Sequence, residues 1–393
     1  MSAPGGEFGK PAPTIGSRMV AELLRHCEEK DASDLHLAPG HVPLVRIDGD
    51  LVPVEGRGVI HGEETVGMSE ALMNSGQRAA LNERGAADGA CSSPGGARFR
   101  FNIFRRQGKR TIILRRLEDR FRSLKELGLP NELYKLADLR DGLVVVSGPT
   151  GAGKSTTLAT LLDKINRERN CHIITIEDPV EYLHDPKKAE VNQRELYTDV
   201  PDFNEALVSA LREDPDVILV GEVRDLKTIR MAITAAETGH LVYTTVHAGD
   251  CVGTIERLTG VFPAEEQDGI RRQIAMVLRA VVNQQLLPSK RADGRRGRVA
   301  AAEVMMNTPA IANLIVLGKT NMISSFMETG RAAGMQTFDQ DVARLLVQGL
   351  IDEQTAVASC RNVTVMRERV RFLQSGAAAT APATAKKSIW DEE

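Results

Sequence analysis

Eight consecutive residues, Gly148-Pro149-Thr150-Gly151-Ala152-Gly153-Lys154-Ser155, follow the spacing G-x-x-x-x-G-K-[ST]. This spacing is built to grip phosphate. The glycines let successive backbone N–H groups turn inward around phosphate oxygens, and Lys154 brings a positive charge to the β and γ positions. The Ser155 hydroxyl can hold Mg²⁺. Thr150, Gly151, Ala152, Gly153, Lys154, Ser155 and Thr156 are therefore the candidate cofactor-binding residues, and the ligand they fit is a nucleoside triphosphate with Mg²⁺.

Cleaving a triphosphate with water asks for more than a grip. A group must orient the water, and positive charge must meet the negative charge of the transition state. The apolar run Val217-Ile218-Leu219-Val220 ends in Gly221-Glu222, which makes Glu222 the leading candidate to polarise water. Gly221 stands where many such proteins place a metal-linked aspartate, which leaves Mg²⁺ to Ser155 and to waters. Ile173-Ile174-Thr175-Ile176 ends in Glu177-Asp178-Pro179. Either acid could face the metal or the water, and Glu177 joins the catalytic set with that choice open. His240 and His247 bracket Leu241–Val246, and His247 is the candidate sensor of the γ-phosphate.

These residues need elements to hold them. Leu143-Val144-Val145-Val146 is an apolar run suited to a strand buried on both faces. Behind the loop, Leu158, Leu161, Leu162 and Ile165 keep the i, i+3, i+4, i+7 spacing of a one-sided helix, whose N-terminus favours anions. From Asp141 onward strands at Leu143–Val146, Ile173–Ile176, Val217–Val220 and Leu241–Val246 alternate with helices, which predicts a largely parallel sheet with chemistry at the strands' carboxyl ends. After Pro288 the chain reads as mainly helical to about Leu373.

Earlier in the chain the periodicity changes. A helix is expected over Val20–Cys27, then short strands at Asp34–Leu37 and Leu44–Ile47, with a tight turn at Asp48-Gly49-Asp50. Arg98-Phe99-Arg100-Phe101-Asn102-Ile103-Phe104 alternates arginines and aromatics on opposite faces. The expected organisation is a tail at 1–15, a small α+β domain at 16–120, a linker and first helix at 121–140, an α/β nucleotide domain with a helical C-terminal part at 141–373, and a second tail at 374–393 that carries Trp390.

Composition is that of an ordinary soluble chain: 393 residues, 42% hydrophobic, 26% charged, formal net charge -3. That charge speaks against nucleic acid as a partner. The basic clusters Arg105/Arg106/Arg110/Arg115/Arg116 and Lys290/Arg291/Arg295/Arg296/Arg298 are local, the second being read as an exposed loop. Five cysteines without a C-x-x-C pair fit free thiols in a reducing compartment, and no zinc site is expected. Met1–Thr14 is rich in Gly and Pro, unlike a signal peptide, and no run approaches a membrane span. A cytoplasmic protein that meets the membrane only through partners is the expectation.

With these motifs placed, the chain resembles the secretion ATPase superfamily, specifically the type IV pilus retraction ATPases (PilT- and PilU-like). The resemblance runs from about Met19 to Leu373. It is carried by Ala32-Ser33-Asp34-Leu35-His36-Leu37, Arg46-Ile47-Asp48-Gly49, Ala97–Asn102, the phosphate loop, and Thr175–Glu181. It continues through Val191–Glu195, Leu211–Asp216 running into Gly221-Glu222-Val223-Arg224-Asp225, and Ala236–His240 with the segment ending at His247. The resemblance implies a homo-hexameric ring of a PAS-like N-terminal domain and a RecA-like P-loop motor domain, with ATP at subunit boundaries. It implies arginines reaching the neighbour's nucleotide in trans, here Arg98, Arg100 and Arg115. The work implied is pilus retraction, hence twitching motility, at the inner face of the cytoplasmic membrane through a pilus platform protein, with a paralogous retraction ATPase as a further partner. Absence of the assembly enzymes' zinc insertion favours retraction. Ala310–Leu317 departs from the retraction signature, and Asn307-Thr308-Pro309 with Gly334–Gln340 and the longer C-terminus lean toward an accessory PilU-like subunit, whereas the loop before Glu222 leans toward the PilT-like branch. A nucleic-acid translocase on the same core is the alternative from another class.

Overall fold

A computed structural model describes residues 15–47, 49–117, 120–290 and 296–378. The expected tails lie outside these residues, Trp390 included, apart from Ile15 and 374–378, which are helical. Asp48 of the expected turn and Arg291 and Arg295 of the second basic cluster also lie outside them. The described chain divides into two compact units. The first takes residues up to Arg120 and adds Asp178–Leu183 and Arg194–Pro201. The second takes Phe121–Glu177, His184–Gln193 and the described residues from Asp202 onward.

The first unit runs α1 (Ile15–Glu29), β1 (Asp34–Leu37), β2 (Leu44–Ile47), β3 (Asp50–Pro53), α2 (Gly62–Leu72), α3 (Ser75–Arg84), β4 (Ala86–Ser92), β5 (Arg98–Arg106) and β6 (Lys109–Arg116). Its six strands form an antiparallel sheet in the order β3-β2-β1-β6-β5-β4. Alternation along β5 sends Phe99, Phe101 and Ile103 into a core with Leu35, Leu37, Ile112 and Leu114. Val20, Leu23, Leu24 and Cys27 form the stripe that α1 lays into the same core. The arginines take the sheet's other face. Register places Arg46 opposite Asp34, Asp34 opposite Arg115 and Arg115 opposite Arg100, one polar row across four strands.

The second unit opens with α4 (Leu124–Leu127) and a 3₁₀ turn at Asn131–Asp138, whose Leu124, Leu133 and Leu136 enter its core. It continues through β7 (Gly142–Ser147), α5 (Lys154–Glu168), β8 (His172–Glu177), β9 (Glu190–Glu195), α6 (Phe203–Ala210), β10 (Val217–Val220), α7 (Leu226–Glu237), β11 (Leu241–Val246), α8 (Cys251–Gly260), α9 (Ala264–Val277), β12 (Leu278–Lys290) and β13 (Arg296–Met306). Helices α10 (Pro309–Val316), α11 (Ile323–Thr329), α12 (Phe338–Val347), α13 (Glu353–Ser359) and α14 (Val363–Ala378) follow. The sheet order is β13-β12-β7-β11-β10-β8-β9. Strands β12, β7, β11, β10 and β8 run parallel, and β7, β10 and β11 are buried throughout, as continuous apolar runs require.

The expectation of mainly helical chain after Pro288 is corrected at its start. The β12–β13 hairpin continues through Pro288 to Lys290 and returns over Arg296–Met306, with β13 antiparallel at the sheet edge. Pro288 is tolerated because β12 pairs with β7 only as far as Asn283, so beyond that point one flank of the strand needs no donor. Helices begin at Pro309, and Phe338, Val342, Leu345, Met366 and Val370 pack against Leu287, Val299 and Ala301 of the hairpin.

Candidate nucleotide site

Strand β7 delivers the chain into the phosphate loop and α5 takes it out. The turn between them depends on left-handed backbone: φ is +144° at Gly148, +76° at Gly151 and +84° at Gly153, the residue before α5. A Cβ on Gly148 would sit 2.2 Å from the Gln284 carbonyl oxygen. Lys154 Nζ donates to the carbonyls of Gly148 (3.0 Å) and Pro149 (3.1 Å), which folds its ammonium over the loop. Thr156 lies in the first turn of α5, where its carbonyl accepts from Thr160 Oγ1 at 2.9 Å.

Parallel pairing brings the carboxyl ends of β7, β11, β10 and β8 to one edge of the sheet. There, just beyond β10 and β11, Glu222 Oε1 lies 3.4 Å from His247 Nε2, and Glu222 Oε2 accepts from Arg224 at 2.7 Å. Burial alone would raise the Glu222 carboxyl. The hydrogen bond and charge of Arg224, with the Lys154 charge and the neighbouring His247 ring, outweigh it and hold Glu222 below the ordinary glutamate range. Thr245 Oγ1 donates to the Gly221 carbonyl at 2.6 Å, and Val223 N to the Thr245 carbonyl at 3.2 Å, so the tip of β10 is tied to β11. A Cβ on Gly221 would lie 3.2 Å from the Ile176 carbonyl oxygen and 3.4 Å from Glu177 Cα. An aspartate at this position would be crowded.

Glu177 ends β8 on the same edge, its Oε1 accepting from Thr175 Oγ1 (2.7 Å) and Gln193 Nε2 (3.1 Å). His240 does not join the cluster. It precedes β11 at the opposite edge, about 20 Å along a strand of this length, where Nδ1 meets Thr238 Oγ1 (3.1 Å) and the Ala235 carbonyl (2.9 Å). Glu222 and His247 thus meet, Lys154 reaches Glu222 through its charge, and Glu177 ends the adjacent strand.

Four further residues support the loop without any motif to announce them. Gln284 on β12 donates to the Ala152 carbonyl (2.7 Å) and accepts from Thr157 Oγ1 (2.8 Å), pinning both the loop and the first turn of α5. Ser147 Oγ, at the end of β7, accepts from Thr254 Oγ1 (2.7 Å) and Asn283 Nδ2 (3.0 Å). The polar cluster Asn283-Gln284-Gln285 is the only sequence signal for the two on β12.

The three arginines belong to the first unit. Arg98 is largely buried, donating to the Val180 carbonyl at 3.4 Å with Glu195 at 3.9 Å. Arg100 faces Asp88 at 3.6 Å. Arg115 Nε donates to Asp34 Oδ1 at 2.8 Å while its side chain stays 72% exposed.

For a metal, the described residues offer no cluster of three or more His, Cys, Asp or Glu. A hydroxyl at Ser155 beside phosphate oxygens and waters is a donor set that suits Mg²⁺, which keeps much of its water, and does not suit zinc.

The model of the type II/IV secretion system protein family matches residues 14–358. The chain belongs to that family. Members similar to it include the type IV pilus retraction ATPase PilT of Pseudomonas aeruginosa, 44% identical over 86% of this chain and 96% of the relative. The type IV pilus ATPase PilU of the same organism is 38% identical over 89% of this chain and 91% of the relative. A solved structure of the pilus retraction motor PilT with bound ADP superimposes with a TM-score of 0.80 at 38% identity, covering 89% of this chain and 99% of that one. As a secretion-family chain it has the two-part plan, an N-terminal unit and a sheet-based ATPase core. Among the described residues no helix is long and apolar enough to cross a membrane.

Proposed function

We propose that this chain is an ATP-hydrolysing motor that powers retraction of type IV pili, working as a homo-hexameric ring at the cytoplasmic face of the inner membrane. The observation that carries the reading is the Glu222 carboxylate, 3.4 Å from His247 Nε2 and within the field of Lys154, beside a complete phosphate loop. The backbone N–H groups of Gly151–Ser155, the N-terminus of α5 and Lys154 hold the phosphates. Glu222 orients the attacking water and takes its proton, and His247 reports whether the γ-phosphate is present. Glu177, anchored by Thr175 and Gln193, lines the same edge. Bound through Ser155, Mg²⁺ would neutralise charge on the β and γ oxygens.

Arg115, with Arg100 beside it in register, supplies positive charge to the neighbouring protomer's nucleotide, an effect worth about 10³ to 10⁵ in rate where measured in other phosphoryl-transfer enzymes. The contacts of Arg98 to Glu195 and Val180 support a positioning share for that residue. Hydrolysis changes the shape of the ring and so works on a platform protein in the membrane. The similarity to PilU supports a second reading, an accessory subunit whose force depends on a paralogous retraction ATPase. The net charge of -3 gives no support to a nucleic-acid track.

The test is phosphate release from MgATP by the purified full chain, alone and with the paralogue, beside twitching of a strand lacking the gene. Lys154→Ala should bind no nucleotide and fail to restore twitching. Normal retraction in the deletion strain, or no phosphate release under either condition, would end this reading.

A further inference from the structure

The segment His247-Ala248-Gly249-Asp250 joins β11 to α8, and its backbone is held from outside at successive positions. Asn283 Nδ2 donates to the Ala248 carbonyl at 3.0 Å. Arg361 donates to the Gly249 carbonyl at 3.0 Å. Glu303 Oε2 accepts from Cys251 N, the first amide of α8, at 3.0 Å. Glu303 and Arg361 are themselves paired through the two terminal guanidinium nitrogens, at 3.1 and 3.2 Å.

Glu303 is a carboxylate in the interior of β13, 2% exposed. A charge in that place is costly unless paired and hydrogen-bonded, and folding could have filled the position with an apolar side chain. Its partner comes from the turn between α13 and α14, far along the chain. That turn is itself fixed: Arg361 N and Asn362 N donate to the two Asp339 oxygens at 2.7 and 2.8 Å, and the Arg361 guanidinium stacks 5.3 Å from the Phe338 ring centroid. The C-terminal helices therefore hold one end of a rigid two-pronged clamp whose other end is the backbone immediately after His247.

We infer that Arg361, through Glu303, is a positioning residue that sets the His247 loop against Glu222, so that the C-terminal helices govern turnover without touching nucleotide. Asp250 is the loop's other charged group, and its carboxylate is occupied as the cap of α8, accepting from Gly253 N. A guanidinium fork is needed because one side chain must reach both a carbonyl and a carboxylate. The inference rests on the motor reading above for the role of His247, and not for the clamp itself.

The experiment uses the full-length chain as wild type, Arg361→Gln, His247→Ala and the double variant, with steady-state hydrolysis and fluorescent ADP binding. Each single variant should lower kcat about tenfold while KM and ADP affinity stay within about twofold, and the double variant should fall no further than the weaker single one. Arg361→Lys should recover part of the lost kcat. Losses that multiply in the double variant, or a raised KM with kcat intact, overturn the inference. If Arg361→Gln does not fold, Glu303→Gln is read the same way, since it keeps the acceptor for Cys251 N and loses the charge. If the wild type releases no phosphate, the motor reading fails on its own. The clamp is then decided by hydrogen exchange in the peptide beginning at His247, which should be faster in Arg361→Gln and would refute the clamp if unchanged.

Discussion

Gly148 has no freedom to become anything else. Its φ of +144° lies outside what a side chain tolerates, and the carbonyl of Gln284 occupies the space a Cβ would need. Gly148→Ala should cost about 3 kcal/mol or more and abolish nucleotide binding, measured by calorimetry and fluorescent ADP titration. Gln284→Ala leaves the Ala152 carbonyl and Thr157 hydroxyl without their partner inside the protein, and nucleotide affinity should weaken about tenfold while the fold persists. Glu222→Gln should bind ATP as before and lose at least about a hundredfold in kcat. The acid limb of the pH–kcat profile should fall below the ordinary glutamate value of about 4.3, because Glu222 is held ionised, and Arg224→Ala should move that limb upward. Residues inside the phosphate loop and at strand tips could be read from sequence because loop geometry fixes their types. Gln284, Asn283 and Thr254 could not, since a supporting side chain only needs a donor in reach, and many residues supply one.

At the scale of elements, the strands readable in advance were those with a strict pattern, either alternation in the first unit or unbroken apolar runs in the second. Val144–Val146 and Ile218–Val220 have nothing but hydrocarbon to offer, and Val242–Val246 adds only two threonines and Tyr243, whose hydroxyl donates to the Leu136 carbonyl at 2.8 Å. The β12–β13 hairpin hid because Asn283, Gln284, Gln285 and Glu303 interrupt its apolar pattern: Asn283 Nδ2 serves Ser147 and Ala248, Gln284 serves Ala152 and Thr157, and Glu303 serves the first amide of α8. In the first unit, the row Arg46, Asp34, Arg115, Arg100 puts one carboxylate among three guanidiniums. Burial alone would raise Asp34, and the bonds from Arg115 and Ser33 reverse this and lower it. A lowered carboxyl stabilises the fold above its unfolded value of about 3.9 and loses that contribution as pH falls through the lower folded value. Asp34→Asn should therefore melt several degrees below wild type at pH 7, and the gap between the two should close as pH falls below the ordinary aspartate value of about 3.9. A constant gap across that range would show that Asp34 acts through shape rather than charge.

At the scale of the whole molecule, a shared site predicts complementation between defective subunits. Arg115→Ala chains keep an intact phosphate loop, and Lys154→Ala chains keep an intact arginine. Random mixing in equal amounts leaves about a quarter of the boundaries with both groups sound. Hydrolysis should reappear on mixing, and an inactive mixture at every ratio would place each site within one chain. The boundary expected near residue 120 also gains a qualification, because the first unit includes Asp178–Leu183 and Arg194–Pro201. Those stretches give it the Glu195 partner of Arg98, the Thr198 hydroxyl that accepts from Asn74, and the Tyr197 ring beside Arg84. A gene fragment stopped at Arg120 would encode a body with part of its own wall missing, prone to clump when made alone. Grafts between relatives should succeed only when both inner stretches travel with the leading segment, since evolution has stitched this portion from three separated lengths of ribbon.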